Sequence, residues 1–363
     1  MKGNRTAMEP GPVFSKGRDL DAAVTALQPW LADRMGVASV VLDRPTYPRG
    51  AGFSNETMLV TAHVAGHIEE LVVRIAPAPE NQVFYEPKFH LQHDILVALD
   101  KASEVLVPRA LWFETDTSVL GQPFYVMRRM HGKVPVSMPA YNSSGWLAEA
   151  TPAQRRTAWE SAMAQLAAIH RIPLSTVSFI DRPEHGPAGD TQHLGYWRSY
   201  TQWALGEDIP DVVLALFDWL DEHRPAASRP GLSWGDARIG NIMFDNDFRV
   251  VGVMDWEQSS LAGQVADLAW WLLFDDSLSI GQGVPRLDGL GTRTETIDLW
   301  QESTGLSTEN LHWHEVFAGL KAGLFSLRSH RSMHPPTNSG TRRFSYLNRA
   351  CELTGVITPE DAR

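Results

Sequence analysis

The segment from Gly240 to Trp256 constrains the fold most, because it is β-like within a part of the chain that otherwise has helical periodicity. It consists of the apolar strand Ile242–Phe244, the turn residues Asp245–Asp247 and the returning apolar strand Val250–Met254. In an antiparallel hairpin the start of the first strand lies beside the end of the second. The pattern therefore predicts that Asn241 and Asp255 are neighbours at one end of a hairpin.

Asn241 and Asp255, together with the carboxylate of Asp236 upstream, indicate a metal site beside a catalytic base. Asn241 and Asp255 offer an amide oxygen and a carboxylate, which are hard oxygen ligands of the kind that Mg²⁺ binds. Asp236 stands isolated in the loop before the hairpin, where it could orient a substrate hydroxyl and accept its proton during phosphoryl transfer. Each residue taken alone is more simply explained as a turn residue. Their order, followed by Asp255-Trp256-Glu257, favours a catalytic site.

The rest of the chain changes character near Gly132. Upstream, helices are predicted over Asp19 to Met35 and Phe89 to Leu99. Strands are predicted over residues 40–42, 57–65, 71–76 and 124–127. Downstream, Thr151 and Pro152 fit the N-cap and first residue of a helix that runs to about His170. Further helices are predicted over residues 196–205, 212–223, 311–329 and 343–353. A small β-rich unit is thus followed by a helical one.

Composition narrows the class of protein. A chain of 363 residues is long for one core, so two lobes are expected. The net charge of −11 argues against a nucleic-acid partner. The lone Cys351 excludes an internal disulfide. Apolar stretches such as 267–274 are too short to cross a bilayer, and the first residues show no secretory pattern. We therefore expect a cytoplasmic protein without membrane insertion, and the oligomeric state stays open.

The segment around Asp236 resembles the catalytic loop of the aminoglycoside phosphotransferase and choline-kinase-like family, and Asp255-Trp256-Glu257 stands where protein kinases have Asp-Phe-Gly. The resemblance implies an α+β, bilobal, protein-kinase-like fold, with an N-terminal lobe over 1–130 and a C-terminal catalytic lobe over 131–363. It also implies that Asp236 is the catalytic base, that Asn241 and Asp255 hold Mg²⁺, and that Asp267 of a later Asp-Leu-Ala helix braces the catalytic loop.

The first lobe carries weaker parts of the same resemblance. Gly50-Ala51-Gly52-Phe53-Ser54-Asn55 resembles the loop that covers the nucleotide phosphates, although glycine-rich turns between strands are common. Arg74 takes the β3 position at which kinases have Lys, and Met127 ends a strand that resembles the one entering the adenine-binding hinge. The resemblance thus implies cofactor binding by Gly50, Gly52, Ser54, Asn55, Arg74 and Met127. The nucleotide it implies is ATP, with GTP left open.

Three departures from the family pattern keep two functions open. Arg74 replaces Lys, Gln92 stands where a helix Glu would pair with that cation (Glu86 lies nearby in sequence), and Trp234 replaces a His of the catalytic motif. Arg can still bind phosphate, and Trp234 is expected to be scaffold. The first hypothesis is a small-molecule O-phosphotransferase. The second is a nucleotide-binding pseudokinase that acts as a scaffold.

The helical part also carries a hypothesis about the phosphate acceptor. A predicted acceptor wall is aromatic and partly basic, which suits a hydrophobic or anionic hydroxylated acceptor such as a hydroxyacyl thioester; core packing is the alternative. It comprises residues 196–203, with the aromatic Tyr196, Trp197, Tyr200 and Trp203, then Trp300 and the run His312-Trp313-His314, and Lys321, Arg328 and Arg331 add positive charge. The resemblance is closest to the branch beside, or fused to, acyl-CoA dehydrogenases. The pairs His90/His93 and His312/His314 are predicted to be solvated or capping rather than metal ligands.

Overall fold

The computed structural model describes residues 18–48, 54–226, 229–332 and 346–356. The chain folds as two compact units, of which the first comprises Met1–Phe84 with Arg109–Arg129 and the second comprises Tyr85–Pro108 with Met130–Arg363. The first is a small antiparallel sheet with a helix and the second is mainly helical, so the predicted α+β architecture is confirmed.

Strands dominate the first unit, whereas helices dominate the second. In chain order they are α1 (Leu20–Met35), β1 (Val41–Leu42), β2 (Glu56–Val64), β3 (His67–Ile75), α2 (Phe89–Ala102), β4 (Ala110–Glu114), α3 (Thr117–Leu120), β5 (Phe124–Arg128), α4 (Trp146–Glu149), α5 (Pro152–His170), α6 (Leu174–Val177), α7 (Asp190–Leu205), α8 (Asp211–Glu222), β6 (Ile242–Phe244), β7 (Val250–Val253), α9 (Gln264–Ser277), α10 (Arg293–Thr304), α11 (Leu311–Ser332) and α12 (Tyr346–Thr354).

The sheet of the first unit has the strand order β1-β2-β3-β5-β4. Its longest pair, β2 and β3, runs in register from Glu56 opposite Ile75 to Val64 opposite His67. The turn Ala65-Gly66 between them has positive φ at both residues, as tight antiparallel hairpins require. Alternate residues of β2 are buried because successive side chains of a strand point to opposite faces. They share one apolar core with the buried face of α1.

The second unit consists mainly of long helices, and the start of α5 shows the N-terminal capping residues that its sequence predicts. Thr151 caps α5 in a complete capping box with Gln154, and Pro152 is the first helical residue, as the sequence predicts. Side chains from α7, α8, α11 and α12 form one buried cluster around Trp197, Tyr200 and Trp313. This packing holds α11 in the interior of the unit, where much of its length is buried.

The predicted hairpin is present in the second unit. Strands β6 and β7 are antiparallel, with Ile242 opposite Val253. The turn is closed by Asp245, whose Oδ1 accepts hydrogen bonds of 2.9 Å from the backbone N–H groups of Asp247 and Arg249. The hairpin places Asn241 and Asp255 just outside the two ends that meet.

The structure differs from the sequence expectations at several borders. The sequence does not predict β4, because all of its residues are half-buried and show no alternation. α7 begins at Asp190 rather than at residue 196, and the predicted residues 343–345 of α12 lie outside the described residues. The segment Tyr85–Pro108, predicted within the first lobe, belongs to the second unit. There the carbonyl of Leu106 accepts a 2.6 Å hydrogen bond from Val253 N–H.

In the part of the chain that the structure describes, no helix combines the length and the apolar character needed to cross a membrane.

Candidate active site

The loop before the hairpin is held by a single buried carboxylate. Asp267 lies in the first turn of α9 and is 1% exposed. Its Oδ1 accepts 2.8 Å hydrogen bonds from Gly235 N–H and from the Ser233 hydroxyl. Its Oδ2 accepts from Trp234 N–H at 2.6 Å and lies 3.0 Å from His170 Nε2. Asp267 therefore braces the loop, as expected from the sequence.

Two neighbours of Asp236 shape the loop further. Gly235 has φ of +92°, and a Cβ at this position would lie 2.2 Å from the carbonyl oxygen of Gln258, so the loop requires glycine here. Trp234 is fully buried, and its Nε1 donates to the carbonyls of Met254 at 2.9 Å and Asp255 at 3.2 Å. Trp234 thus ties the loop to the end of β7, which is the predicted scaffold role.

Asp236 is not isolated, contrary to the sequence expectation. Arg238 Nε lies 3.1 Å from both carboxylate oxygens. Trp270 Nε1 donates to Oδ1 at 2.7 Å, and Asn241 Nδ2 donates to Oδ2 at 2.7 Å. The residue is 9% exposed. The tertiary fold brings these donors together, and they fix the orientation of the carboxylate.

This surrounding also sets the charge of Asp236. Burial alone would raise the pKa of the carboxyl, but the Arg238 charge, the hydrogen bonds from Trp270 and Asn241, and the Lys321 charge outweigh it. The pKa of Asp236 therefore lies below its ordinary value, and the group is a carboxylate at neutral pH. A carboxylate held in one orientation can accept a hydrogen bond from a substrate hydroxyl.

Asn241 and Asp255 lie together at the end of the hairpin. The backbone N–H of Met254 donates to the carbonyl of Asn241 at 2.9 Å, which makes Asn241 a direct neighbour of the residue before Asp255. Because the side-chain nitrogen of Asn241 donates to Asp236, its side-chain oxygen is the atom that a cation could bind. With the Asp255 carboxylate it forms a hard-oxygen donor set that fits Mg²⁺.

The predicted nucleotide-binding residues belong to the first unit. Ser54 and Asn55 are buried just before β2, and Asn55 Nδ2 donates to Ser54 Oγ at 3.3 Å. Arg74 lies on β3 opposite Thr57 and Tyr125. Met127 lies on β5 opposite Val72. Gly50 and Gly52 lie outside the described residues.

The structure corrects the predicted acceptor wall. Most of its aromatic residues are interior residues, because α7, α10 and α11 bury these faces. Trp197, Tyr200, Trp300 and Trp313 are between 0% and 4% exposed. Tyr196, Trp203 and Arg328 are half-buried, and the side chain of Arg331 lies outside the described residues.

Two polar expectations on α11 are also corrected. Lys321 is 4% exposed and donates to the Gly235 carbonyl at 2.6 Å, so it contacts the catalytic loop and not an acceptor wall. His314 is buried at 6% exposure rather than solvated, and burial lowers its pKa to about 3. His312 and His90 are exposed, as predicted.

Sequence reasoning missed three residues of the site, which are Arg238, Trp270 and Lys321. Arg238 lies two positions after Asp236, and Trp270 lies one helical turn after Asp267, so both could have been found from the motif and the helix period. Lys321 contacts a residue that is 86 positions away along the chain, and no local pattern predicts that contact.

A small antiparallel sheet, a helical unit and a hairpin whose end brings Asn241 and Asp255 beside the loop of Asp236 are the architecture of a protein-kinase-like fold. Residues 47–302 match the model of the phosphotransferase enzyme family, and the chain belongs to this family. The family resemblance and the enzyme class that the sequence predicts are thereby confirmed.

Curated relatives and solved structures agree with this assignment. The chain is 25% identical over 242 residues to human acyl-CoA dehydrogenase family member 11, a match that covers 61% of this chain and 29% of that protein. It spans less than a third of the length of the curated acyl-CoA dehydrogenase relatives that it matches first. The similarity to this branch is as the sequence predicts.

The solved structures show the fold alone. A Ralstonia eutropha protein assigned to the aminoglycoside phosphotransferases superimposes with a TM-score of 0.68 at 21% identity, covering 91% of this chain and 98% of the other. The amicoumacin kinase hAmiN, solved in complex with AMP-PNP, Ca²⁺ and Ami, gives a TM-score of 0.55 at 14% identity, covering 86% of this chain and 88% of the other.

Proposed function

We propose that the chain is an ATP- and Mg²⁺-dependent O-phosphotransferase that acts on a hydroxyl group of a small molecule. The observation that carries this proposal is the joining of Asp236, Asn241 and Asp255 at one end of the hairpin, with Asp236 ionised and held by three donors. A carboxylate base beside a hard-oxygen donor set is the arrangement that phosphoryl transfer to an alcohol requires.

Each residue has a distinct role in this proposal. Asp236 orients the acceptor hydroxyl and accepts its proton as the new O–P bond forms and the bond to the leaving nucleoside diphosphate breaks. Asn241, through its side-chain oxygen, and Asp255 hold the metal ion. A bound Mg²⁺ would supply positive charge that neutralises the phosphate oxygens. Arg238, which also lies within electrostatic reach of Asp255, keeps Asp236 ionised between turnovers.

The first unit would bind the nucleotide. Ser54 and Asn55 stand at the start of β2, and Arg74 supplies a permanent cation on the neighbouring strand. Gly50, Gly52 and Met127 complete the proposed nucleotide contacts. The AMP-PNP in the amicoumacin kinase supports an adenine nucleotide over a guanine nucleotide. A comparison of ATP with GTP as phosphate donor tests that preference.

For the acceptor we propose an anionic or lipophilic hydroxylated molecule, such as a hydroxyacyl thioester of coenzyme A. The half-buried part of the predicted wall supports this class: Arg182 Cζ lies 5.0 Å from the Tyr196 ring centroid, and Arg328 Cζ lies 4.4 Å from that of Trp203. Burial raises the pKa of Tyr196 to about 12, together with the Glu86 and Glu257 carboxylates and against the Arg182 charge. Because Glu257 follows Asp255 by two positions, this aromatic patch is close to the hairpin end.

The relatives support the same acceptor class, since they are acyl-CoA dehydrogenase family members. The test incubates the protein with MgATP and, separately, a hydroxyacyl-CoA, a kanamycin-like aminoglycoside and a neutral lipophilic alcohol, and detects phosphorylated products by mass spectrometry. Asp236→Asn serves as the control for background transfer. We expect the hydroxyacyl-CoA to be phosphorylated most efficiently. Turnover of the aminoglycoside alone would refute the acceptor class and leave the phosphotransferase proposal standing.

The pseudokinase hypothesis is distinguished by the same assay. It rests on Arg74 and Gln92, which depart from the kinase pattern in the first unit and in α2. A pseudokinase would bind the nucleotide and phosphorylate none of these acceptors. Acceptor-dependent ADP release that is lost in Asp236→Asn excludes it.

A further inference from the structure

Lys321 contacts the loop that carries Asp236, although it belongs to none of the sequence motifs from which the site is predicted. Lys321 lies near the middle of α11, outside the residues 47–302 that match the family model. Lysine is rarely buried completely, because desolvation of an ammonium group costs free energy unless partners offset it. Here the side chain is 4% exposed, and its Nζ donates to the Gly235 carbonyl at 2.6 Å. A buried cation at this place therefore calls for an explanation.

The surroundings of Lys321 lead to Asp236 by two routes. The first is the backbone: the Gly235 carbonyl belongs to the peptide bond that precedes Asp236, and Gly235 N–H is held by Asp267. The loop is thus pinned on both sides of Gly235. The second route is Trp270, whose ring centroid lies 4.1 Å from Lys321 Nζ and whose Nε1 donates to Asp236 Oδ1 at 2.7 Å.

The helix that carries Lys321 is itself held closely. Gly319 and Gly323 flank Lys321 on α11 and face α12, where a Cβ at Gly323 would lie 2.5 Å from Leu347 Cδ2. Residues two positions apart point to different sides of a helix, so Lys321 faces away from α12 and toward the loop. This close packing leaves α11 little freedom to withdraw the ammonium group.

The charges around Lys321 are mostly carboxylates. Asp236 on the loop and Asp267 on α9 act on it as opposite charges, while His193 on α7 and His314 on α11 stay neutral because burial keeps their pKa values low. Burial lowers the pKa of Lys321 to about 8, and the two carboxylates oppose that shift. At neutral pH the ammonium group is charged and counters two buried negative charges.

We propose that Lys321 is a positioning residue for phosphoryl transfer: it fixes the Gly235–Asp236 peptide directly and, through Trp270, the orientation of the Asp236 carboxylate. The proposal rests on the role of Asp236 described above. A catalytic base that is displaced by about 1 Å loses up to about 100-fold in rate. The effect should therefore fall on kcat, because the hydrogen bond and ring contacts of Lys321 within the described residues go to Gly235, Trp270 and Trp197.

The first test needs no activity. Amide hydrogen exchange is compared between the wild type and Lys321→Met, which keeps the length of the side chain and removes the charge and the donor. The control is Lys101→Met, at an exposed lysine at the end of α2. We expect the segment 233–237 to exchange about 10-fold faster in Lys321→Met alone, with β6 and β7 unchanged. If exchange in that segment is unchanged, Lys321 does not anchor the loop. This conclusion holds whether or not the protein is a phosphotransferase.

The second test concerns the rate. In Lys321→Met we expect kcat to fall by about 10- to 100-fold with the KM for nucleotide within about twofold. Trp270→Phe, which removes only the indole N–H, should lower kcat as well. The double variant should lose less than the two single losses combined, because part of the effect of Lys321 on Asp236 passes through Trp270. Additive losses in the double variant, or a loss confined to KM, contradict the proposal.

The third measurement uses the wild type, so it remains decisive even if Lys321→Met does not fold. The kcat should decline as pH rises through about 8, where Lys321 loses its charge. Stability should not decline in the same range. Between pH 8 and about 10 the unfolded chain still holds the Lys321 proton that the folded protein has released, because the ordinary pKa is about 10.4. This group therefore makes the folded protein more stable as pH rises through that range. If kcat stays constant from pH 7 to about 9.5, phosphoryl transfer does not depend on the charge of Lys321. If the wild type shows no phosphoryl transfer, the proposed function is refuted. Hydrogen exchange then remains as the test of whether Lys321 anchors the loop.

Discussion

At the scale of single residues, the structure concentrates hydrogen-bond donors on Asp236, the proposed base. Its two oxygens receive hydrogen bonds from Arg238, Asn241 and Trp270, which orient the carboxylate and favour its ionised form. The change to Asn keeps the shape of the side chain and one acceptor oxygen for these donors while the ionised base is removed. This property makes an isosteric substitution informative.

We expect Asp236→Asn to retain the fold and nucleotide affinity while kcat falls by about 10²- to 10⁴-fold, the usual contribution of a general base. Steady-state kinetics and isothermal titration with MgATP measure the two quantities. Asp247→Asn, an exposed aspartate in the hairpin turn, is the matched control. If Asp236→Asn keeps more than half of the wild-type kcat, Asp236 is not the base.

Asp255 is the charged member of the proposed metal site and has φ of +62°. Asn tolerates this left-handed backbone, so Asp255→Asn removes the charge without adding backbone strain. We expect the affinity for nucleotide in the presence of Mg²⁺ to fall by at least about 10-fold, and affinity without Mg²⁺ to stay unchanged. Asn241→Ala should show the same pattern more weakly. Equal losses with and without Mg²⁺ would place Asp255 outside the metal site.

At the scale of elements, the catalytic loop depends on α9 and on the hairpin. Asp267 holds the backbone from one side, and Trp234 joins the loop to the end of β7. Gly235 sits between them with positive φ and no room for a side chain. The loop geometry is therefore sensitive to a single methyl group at this position.

Gly235→Ala is expected to destabilise the fold by more than Gly36→Ala. Gly36 ends α1 with φ of +66°, and a Cβ added there would have no atom within 4 Å, so its substitution costs only the backbone term of about 1–2 kcal/mol. At Gly235 the clash with Gln258 adds about 1–3 kcal/mol. Urea unfolding measures both variants. Equal costs at the two glycines would show that the loop can relax around the methyl group.

At the scale of the whole molecule, buried titratable groups link stability to pH. Burial holds the pKa of His193 well below 6.5 and lowers that of His314 to about 3, so both histidines are neutral in the folded protein. Asp275 behaves in the opposite sense, because burial raises its pKa to about 6. These groups titrate differently in the unfolded chain, where the surrounding protein is absent.

We expect stability to fall as pH drops below about 6.5. The unfolded chain then binds protons at His193 and His314 that the folded chain does not bind, which costs up to about 1.4 kcal/mol per pH unit for each histidine. Asp275 gains a proton first in the folded state and offsets one histidine. Urea unfolding at pH 7.5, 6.5 and 5.5 measures the slope. His314→Gln should reduce it, and an unchanged slope in that variant contradicts the assignment to His314.

Much of the fold follows from local pattern in the sequence. The capping box at Thr151, the turn residues of the hairpin and the amphipathic period of α1 are properties of a few consecutive residues, so the sequence predicts them. The pairing of Asn241 with Asp255 follows from the same cause, because hairpin geometry alone makes its ends meet, and Asp236 lies in the loop just before them. β4 escaped prediction because its half-buried residues do not alternate.

The environment of the site was decided only by the tertiary structure. Whether Trp197 or Trp300 lines a site or fills a core depends on which helix packs over it, and a helical period is the same in both cases. The same reason explains why the polar side chains of Lys321 and His314 are buried. The sequence by itself predicted the residues that are proposed to carry the chemistry, since motif and turn are local. The donors that orient Asp236 from α9, and the cation beneath its loop, come from packing between residues distant in the chain.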